Sequence, residues 1–540
     1  MTAALTAAAA ISGLFGQSLG DALARLQAND FDGAAKILED VVQREPQNGR
    51  AWRNLGLAFD NLEKFDRAID AYQHALAIQP AMVAPIFAIA IDYASKQQTE
   101  FAFDWLAKAK ATHKIDMTQA EVTPALTPLK SDPRFREILP VRADFDRPFV
   151  EDVKILREWD GESANDQFGW IARPINATDF VTSAPTANGG AGAVYVFSAK
   201  TGKLLWKAAG ETGGQLGIGV EAAGDGNVVA SAPGVGKAFL YSGRDGKVLV
   251  TMTAEDRNDQ FGRHVSTAGD VNHDGRADVI IGAPGHDKGR GAAYVYSGRD
   301  GKLLAKLTGE KDGDGFGASV SGYTGRTGTL LVVGAPRGGA AHHGRVYVYY
   351  SLDAKPAFTF DADEGGQALG GMFVSVSGDL DGDGFPDVFA SDFPGSGKAP
   401  AAGRVYLYSG KDGRRLFTAA GENAGEGLGT SQSIAGDVDG DGHTDLIVGA
   451  WQFSGEANSG GRAYLYSGKD GSLMKTFTCR IPGDTFGFDA VGMGDIDGDG
   501  TVELLITSAW SGVRGFHSGR IFLISSGVTR AAHRTPGETR

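Results

Sequence analysis

A Phe-Gly or Leu-Gly pair recurs seven times, beginning at Phe168, Leu216, Phe261, Phe316, Leu369, Leu428 and Phe486. Each pair leads into an apolar run that ends in a Gly-Ala-Pro-like corner: Ser183-Ala184-Pro185, Ser231-Ala232-Pro233, Gly282-Ala283-Pro284, Gly334-Ala335-Pro336, Ser391-Asp392-Phe393-Pro394, Gly449-Ala450-Trp451 and Ser508-Ala509-Trp510. An alternating segment follows, such as 193–197 or 346–349, then a tight turn such as Asp245-Gly246 or Asp300-Gly301. Alternation marks strands, and Asp-Gly between apolar runs marks a hairpin. Each unit of 45–59 residues therefore reads as a four-stranded antiparallel blade. A blade this small buries its faces only against neighbouring blades, so seven of them predict radial closure into a β-propeller. The strand at 153–159 precedes the first pair, and the last unit stops after its third strand, 520–524. The early strand is expected to complete the seventh blade and shut the ring.

Glycine locates the start of this architecture. Only six of the 79 glycines fall in residues 1–147. That region reads as helix and repeats with a period of 34: Phe31, Ala34, Leu38 and Pro46 align with Phe65, Ala68, Tyr72 and Pro80. Trp52, Leu55, Gly56 and Phe59 stand upstream of the second copy, and a weaker third copy carries Ile89, Tyr93, Ala102, Leu106 and Ala109. This pattern resembles the tetratricopeptide repeat. It implies an all-α superhelix over 15–115 that either binds a protein segment in its groove or serves as a self-packing spacer, with a capping helix and linker at 116–147. The propeller is expected over 148–527 and a flexible tail over 528–540. Residues 1–14 are apolar and alanine-rich. They read equally as a frayed helix or as the remnant of a signal peptide, and they are too short and glycine-broken for a transmembrane span.

Four units carry an acidic loop. The residues are Asp270, Asn272, Asp274, Arg276 and Asp278 in the third unit, and Asp379, Asp381, Asp383, Phe385 and Asp387 in the fifth. The sixth has Asp437, Asp439, Asp441, His443 and Asp445; the seventh has Asp495, Asp497, Asp499, Thr501 and Glu503. Oxygen ligands at loop positions one, three and five suit a hard cation, glycine at six allows the reversal, and position seven offers its carbonyl. An EF-hand would need glutamate at position twelve. Ile281, Ala390, Val448 and Ile506 stand there instead, and the last carboxylate sits at position nine. The loop therefore joins two strands. Phe-Gly, Gly-Ala-Pro and this loop together resemble the FG-GAP repeat of the integrin α-subunit propeller. The resemblance implies seven blades, with calcium in loops joining the first and second strands of blades three, five, six and seven. The chain's net charge of -14 would fall to about -6 with four calcium ions bound.

The same acidity argues against a nucleic-acid partner, and the single cysteine, Cys479, rules out an intrachain disulfide or a thiolate zinc cluster. No His-Glu-x-x-His or Cys-His arrangement is present, so an enzyme is not expected. The candidate ligand residues follow the last two corners: Trp451, Phe453, Trp510, Arg514, Phe516 and His517. Aromatics and an arginine on glycine-rich loops suit a protein surface or a sugar, and tryptophans there equally suit the joint between blades. In integrin-like propellers such loops lie opposite the calcium loops. These features point to a scaffold or adhesion protein acting outside the cytosol, extracellular, at the cell surface or periplasmic. A carbohydrate-binding or polysaccharide-processing propeller is the rival reading.

Overall fold

The computed structural model describes residues 18–353 and 355–528. The apolar segment 1–14 and all but the first residue of the 528–540 tail lie outside the described residues. The chain divides into two compact units, Met1–Val141 and Arg142–Arg540.

The first unit is built from helices Leu19–Gln27, Phe31–Arg44, Gly49–Asn61, Phe65–Ile78, Ala84–Ser95 and Thr99–Ala111. Local chemistry sets their starts. Ser18 and Asp21 form a capping box, and the Asp30 and Asn48 side chains accept the Gly33 and Ala51 amides, each at 3.0 Å. Gly56 is required by close packing: a Cβ there would lie 2.5 Å from Cε1 of Tyr72. Short 3-10 helices at Met117–Glu121 and Pro124–Ser131 and the helix Arg134–Ile138 close the end of the stack, placing Leu126, Leu129, Phe135 and Ile138 against Phe103 and Leu106.

A carboxyl group is buried in this stack. Asp92, 1% exposed, hydrogen-bonds the carboxyl group of Asp60, which accepts the Tyr72 hydroxyl at 2.5 Å. Burial, then the Asp60 carboxyl, pushes Asp92 up to about 9. Lys96 and, on Tyr72, Arg53 act from farther away, and Lys96 is itself paired with Asp66. A carboxyl whose folded value is raised holds its proton better folded than unfolded, so its stabilisation is complete below about pH 4. It is lost as pH rises toward 9. Helical unfolding of the full chain, followed by circular dichroism from pH 5 to 9, should therefore lose stability steadily. Asp92→Asn should flatten that slope; an unchanged slope would remove the shared proton as its cause.

The second unit is seven four-stranded sheets, each antiparallel and, in the first six, in chain order from inner to outer strand. The seventh consists of Ala490–Gly494, Glu503–Ser508, Arg520–Ser525 and, as its outer strand, Ile155–Asp160 from the beginning of the unit. The closing register runs from Ile155 opposite Ile524 to Asp160 opposite Arg520. The Phe-Gly and Leu-Gly pairs form the joints. Leu216, Phe316, Leu369 and Phe486 each bridge in parallel to a glycine of the preceding blade (Gly192, Gly291, Gly344 and Gly461). Phe168 makes the same bridge to Gly519, across the seam between blades seven and one. The aromatic and leucine side chains are buried between blades. The glycines of the pairs themselves take positive φ, and a Cβ at Gly262 would lie 2.5 Å from Cβ of Ser231.

The seam is reinforced from upstream. Phe149 packs edge-on against Phe486 at 4.9 Å and against Phe522 at 5.2 Å, and Glu151 accepts the Thr478 amide at 2.7 Å. Arg520 is fully buried, with its guanidinium 4.2 Å from the Phe522 ring centroid. It lies 3.8 Å from Asp484 and 4.0 Å from Glu158 of the closing strand. A charge removed from water in this way persists only with such partners.

Candidate metal centres and the opposite face

All four acidic loops join the first and second strands of their blades. The glycine at position six has φ of +85°, +89°, +92° and +87° at Gly275, Gly384, Gly442 and Gly500, a region that side-chain-bearing residues rarely enter. Position four is Gly382, Gly440 and Gly498 in blades five to seven, but His273 in blade three, also at positive φ.

The loop's own amides orient the ligands. The first carboxylate accepts two N–H groups: Asp379 from Asp383 and Gly384 at 3.0 and 2.9 Å, and Asp495 from Gly498 and Gly500 at 2.7 and 3.0 Å. Asp270 and Asp437 do the same. Position three accepts from the amide of position five (Asn272, Asp381, Asp439 and Asp497), and position five from that of position seven. Asp274, Asp383, Asp441 and Asp499 thus receive the Arg276, Phe385, His443 and Thr501 amides. The position-nine carboxylate is fully buried in all four loops. It reaches back to the position-two amide, and Asp278, Asp387 and Asp445 also accept a glycine amide of the turn after the third strand. Glu503 accepts the Ile496 amide at 2.7 Å. Burial raises all four, Asp387 to about 7.

Oxygens of Asp379, Asp381 and Asp387 all lie within 4.8 Å of one another, as do those of Asp437, Asp439 and Asp445 and of Asp495, Asp497 and Glu503. Ligands on opposite sides of a calcium ion are separated by about 5 Å, given bonds of 2.3–2.6 Å. The sets therefore fit a hard divalent cation in both size and donor type. In blade three the Asn272 amide replaces one carboxylate. A basic side chain leans on each loop. Arg299 lies 3.4 Å from Asp274, Arg414 3.1 Å from Asp381 and Lys469 3.5 Å from Asp441. Where blade seven is broken by closure, Lys154 reaches Asp497 and Asp499 at 2.9 and 2.7 Å and holds Asp499 below the usual carboxylate range.

The other ends of the strands carry the corner loops. Trp451 and Trp510 meet edge to face at 4.8 Å, and His517 stacks on both Trp510 and Phe516 at 5.1 and 3.6 Å. Burial pushes His517 down to about 4. The structure thus brings Trp451, Trp510, Phe516 and His517 together. Arg514 turns to Asp160 at 3.4 Å. Phe453 stands apart, 5% exposed with the Arg462 guanidinium 3.7 Å above its ring, so it offers no ring face to a ligand. Two aromatics not anticipated from the corner motifs extend the array: Phe488, against Trp451 and Trp510, and Trp170, 4.7 Å from Phe488. Both directly follow the glycine of a Phe-Gly pair, and that repeat position is the signal that could have found them.

Comparison with known proteins agrees with both architectures. A tetratricopeptide repeat model matches residues 19–83, an FG-GAP repeat model 261–296, and an FG-GAP-like repeat model 379–448 and 437–506. Among similar proteins, integrin alpha-4 of Xenopus laevis is 28% identical over 247 residues, 42% of this chain and 23% of that protein. Integrin alpha-11 of Homo sapiens is 28% identical over 293 residues, 48% of this chain and 24% of that protein. The chain thus spans about a quarter of the length of these relatives. No helix among the described residues is long and apolar enough to cross a membrane. The chain joins tetratricopeptide repeats to a seven-bladed FG-GAP-repeat propeller similar to that of integrin α-subunits.

Proposed function

We propose that this is a non-enzymatic, calcium-binding interaction protein. In this reading the propeller makes adhesion-type protein contacts outside the cytosol, and the helical repeats supply a second, peptide-binding arm. The observation that carries it is the threefold recurrence of close oxygen clusters in loops matched by the FG-GAP-like model. Calcium would be held by positions one, three, five and nine and by the position-seven carbonyl, four ions in all, with Asn272 and Glu503 as alternative oxygen donors. Its role is to fix each loop and thereby the blade. The corner-loop face, at the opposite ends of the strands, is left for the partner.

Each site occupied at a hundredfold excess of calcium over its Kd adds about 2.7 kcal/mol to stability. Calcium should therefore raise the melting temperature of the sheet transition by many degrees, and chelation should reverse the rise. Isothermal titration should count the sites; the absence of binding heat together with an unchanged melting temperature would overturn the assignment.

A further inference from the structure

We propose that a cleft between blades one, two and three receives an acidic side chain of a protein partner, held by Arg257 and Arg263; this rests on the reading of the corner-loop face as the partner surface. The cleft, about 410 Å3, is lined by Trp170, Gln215, Arg257, Asn258, Gln260 and Arg263 among others. Its construction follows the repeat. Trp170 and Arg263 each directly follow the glycine of a Phe-Gly pair, on blades one and three. Gln215 and the 257–260 segment lie in the connections leading into blades two and three.

Neither guanidinium has a carboxylate or hydrogen-bond partner among the described residues. The adjacent carboxylates are engaged elsewhere: Asp256 accepts the Asn258 amide at 2.9 Å, and Asp259 pairs with His286 Nδ1 at 2.7 Å. Arg173, on the same inner ring, shows what a satisfied arginine looks like here, held between Asp489 and Glu221. Protein crowds the Arg263 head group closely enough to lower it from the usual guanidinium value. Burial and then the fields of Arg173 and Arg263 drive His264 down to about 3, so it is neutral and accepts the Val320 amide. Arg257 and Arg263 are thus the two guanidiniums lining the cleft that no carboxylate of the described residues pairs. Two solvent-accessible guanidiniums without counter-ions are free to take an incoming carboxylate. Two guanidinium forks match a carboxylate's oxygens, and the amides of Gln215, Asn258 and Gln260 match the peptide groups beside it. The aromatic array favours a protein over a glycan. Trp170, Trp451 and Trp510 pack against Phe488 and one another instead of presenting open ring faces for a sugar.

The test uses the calcium-loaded full chain and fluorescence polarisation. The probes are a labelled peptide pool with Asp or Glu at one position, the matched Asn/Gln pool, and labelled hyaluronate oligosaccharide as a carboxylated glycan. The acidic pool should bind at least about tenfold more tightly than the amide pool, and Arg263→Gln or Arg257→Gln should each remove about tenfold. Equal binding of the pools, no binding of either, unchanged binding by both variants, or arginine-dependent binding of hyaluronate alone would each overturn the proposal. The calcium-induced rise in melting temperature, read on the same samples, shows that the variants fold and keeps a failure of the cleft distinct from a failure of the calcium reading. Should Arg263→Gln not fold, Arg257→Gln in its exposed loop carries the test.

Discussion

Removing residues 148–160 should open the ring and abolish cooperative unfolding of the propeller. The segment contributes far more than one strand. Trp159, 7% exposed, packs edge-on to Phe180 of blade one at 4.9 Å and donates its indole N–H to the Gly202 carbonyl at 3.1 Å. Arg157 donates to the Ala199 carbonyl, also in blade one, at 3.0 Å. Upstream, Phe149 fills the space between Phe486 and Phe522, and Val150 donates to the Thr478 carbonyl of blade six at 2.9 Å. The deletion thus unties three consecutive blades and strips Glu158 from the buried Arg520. Loss of two buried aromatics alone costs about 3–5 kcal/mol each, comparable with the whole stability of a domain. Circular dichroism melting should show a broad transition well below that of the parent. Trp159→Ala, which keeps the strand, should fall in between. A deletion variant melting at the parent temperature would show that the ring does not depend on this strand.

The sequence alone carried the blades, their number and the closing strand, because each depends on short local signals repeated many times. The residue types that set a joint, a corner or a hairpin sit within a few positions of one another, as at Phe316, Gly334-Ala335-Pro336 and Asp300-Gly301. The acidic loops were legible for the same reason: their ligands lie within nine residues. Groups assembled across blades were not. Arg520 looks like a strand-edge cation in sequence, yet it is fully buried between Asp484 and Glu158, which lie far away in the chain. Asp92 and Asp60 belong to different repeats, and only helix packing makes them share a site. The ligand face was partly legible. The corner motif led to Trp451 and Trp510, but Phe453 follows the same corner and is covered by Arg462. Trp170, Phe488 and Arg263 needed the inner-strand register, which sequence spacing suggests only once the blades are aligned.

The position-nine carboxylate offers the sharpest separation of scaffold from metal. Asp445 is fully buried and accepts the Val438 amide at 2.8 Å and the Gly468 amide at 3.0 Å. It therefore ties the acidic loop to the turn after the third strand while placing an oxygen in the cluster with Asp437 and Asp439. Asp445→Ala removes both acceptors and leaves two amides without partners, at about 1–3 kcal/mol each. It should lower the melting temperature even with chelator present. Asp445→Asn keeps one amide oxygen for the backbone but loses the negative charge that a divalent ion needs, so with chelator it should lie closer to the parent. Calcium should then widen the gap between the parent and both variants, because each forfeits the stabilisation from that site. If both variants respond to calcium as fully as the parent, Asp445 acts only as a backbone tie and the ion is not held in this loop. If Asp445→Asn matches the parent with chelator and falls behind only with calcium, the carboxylate's charge serves the metal and its geometry serves the fold.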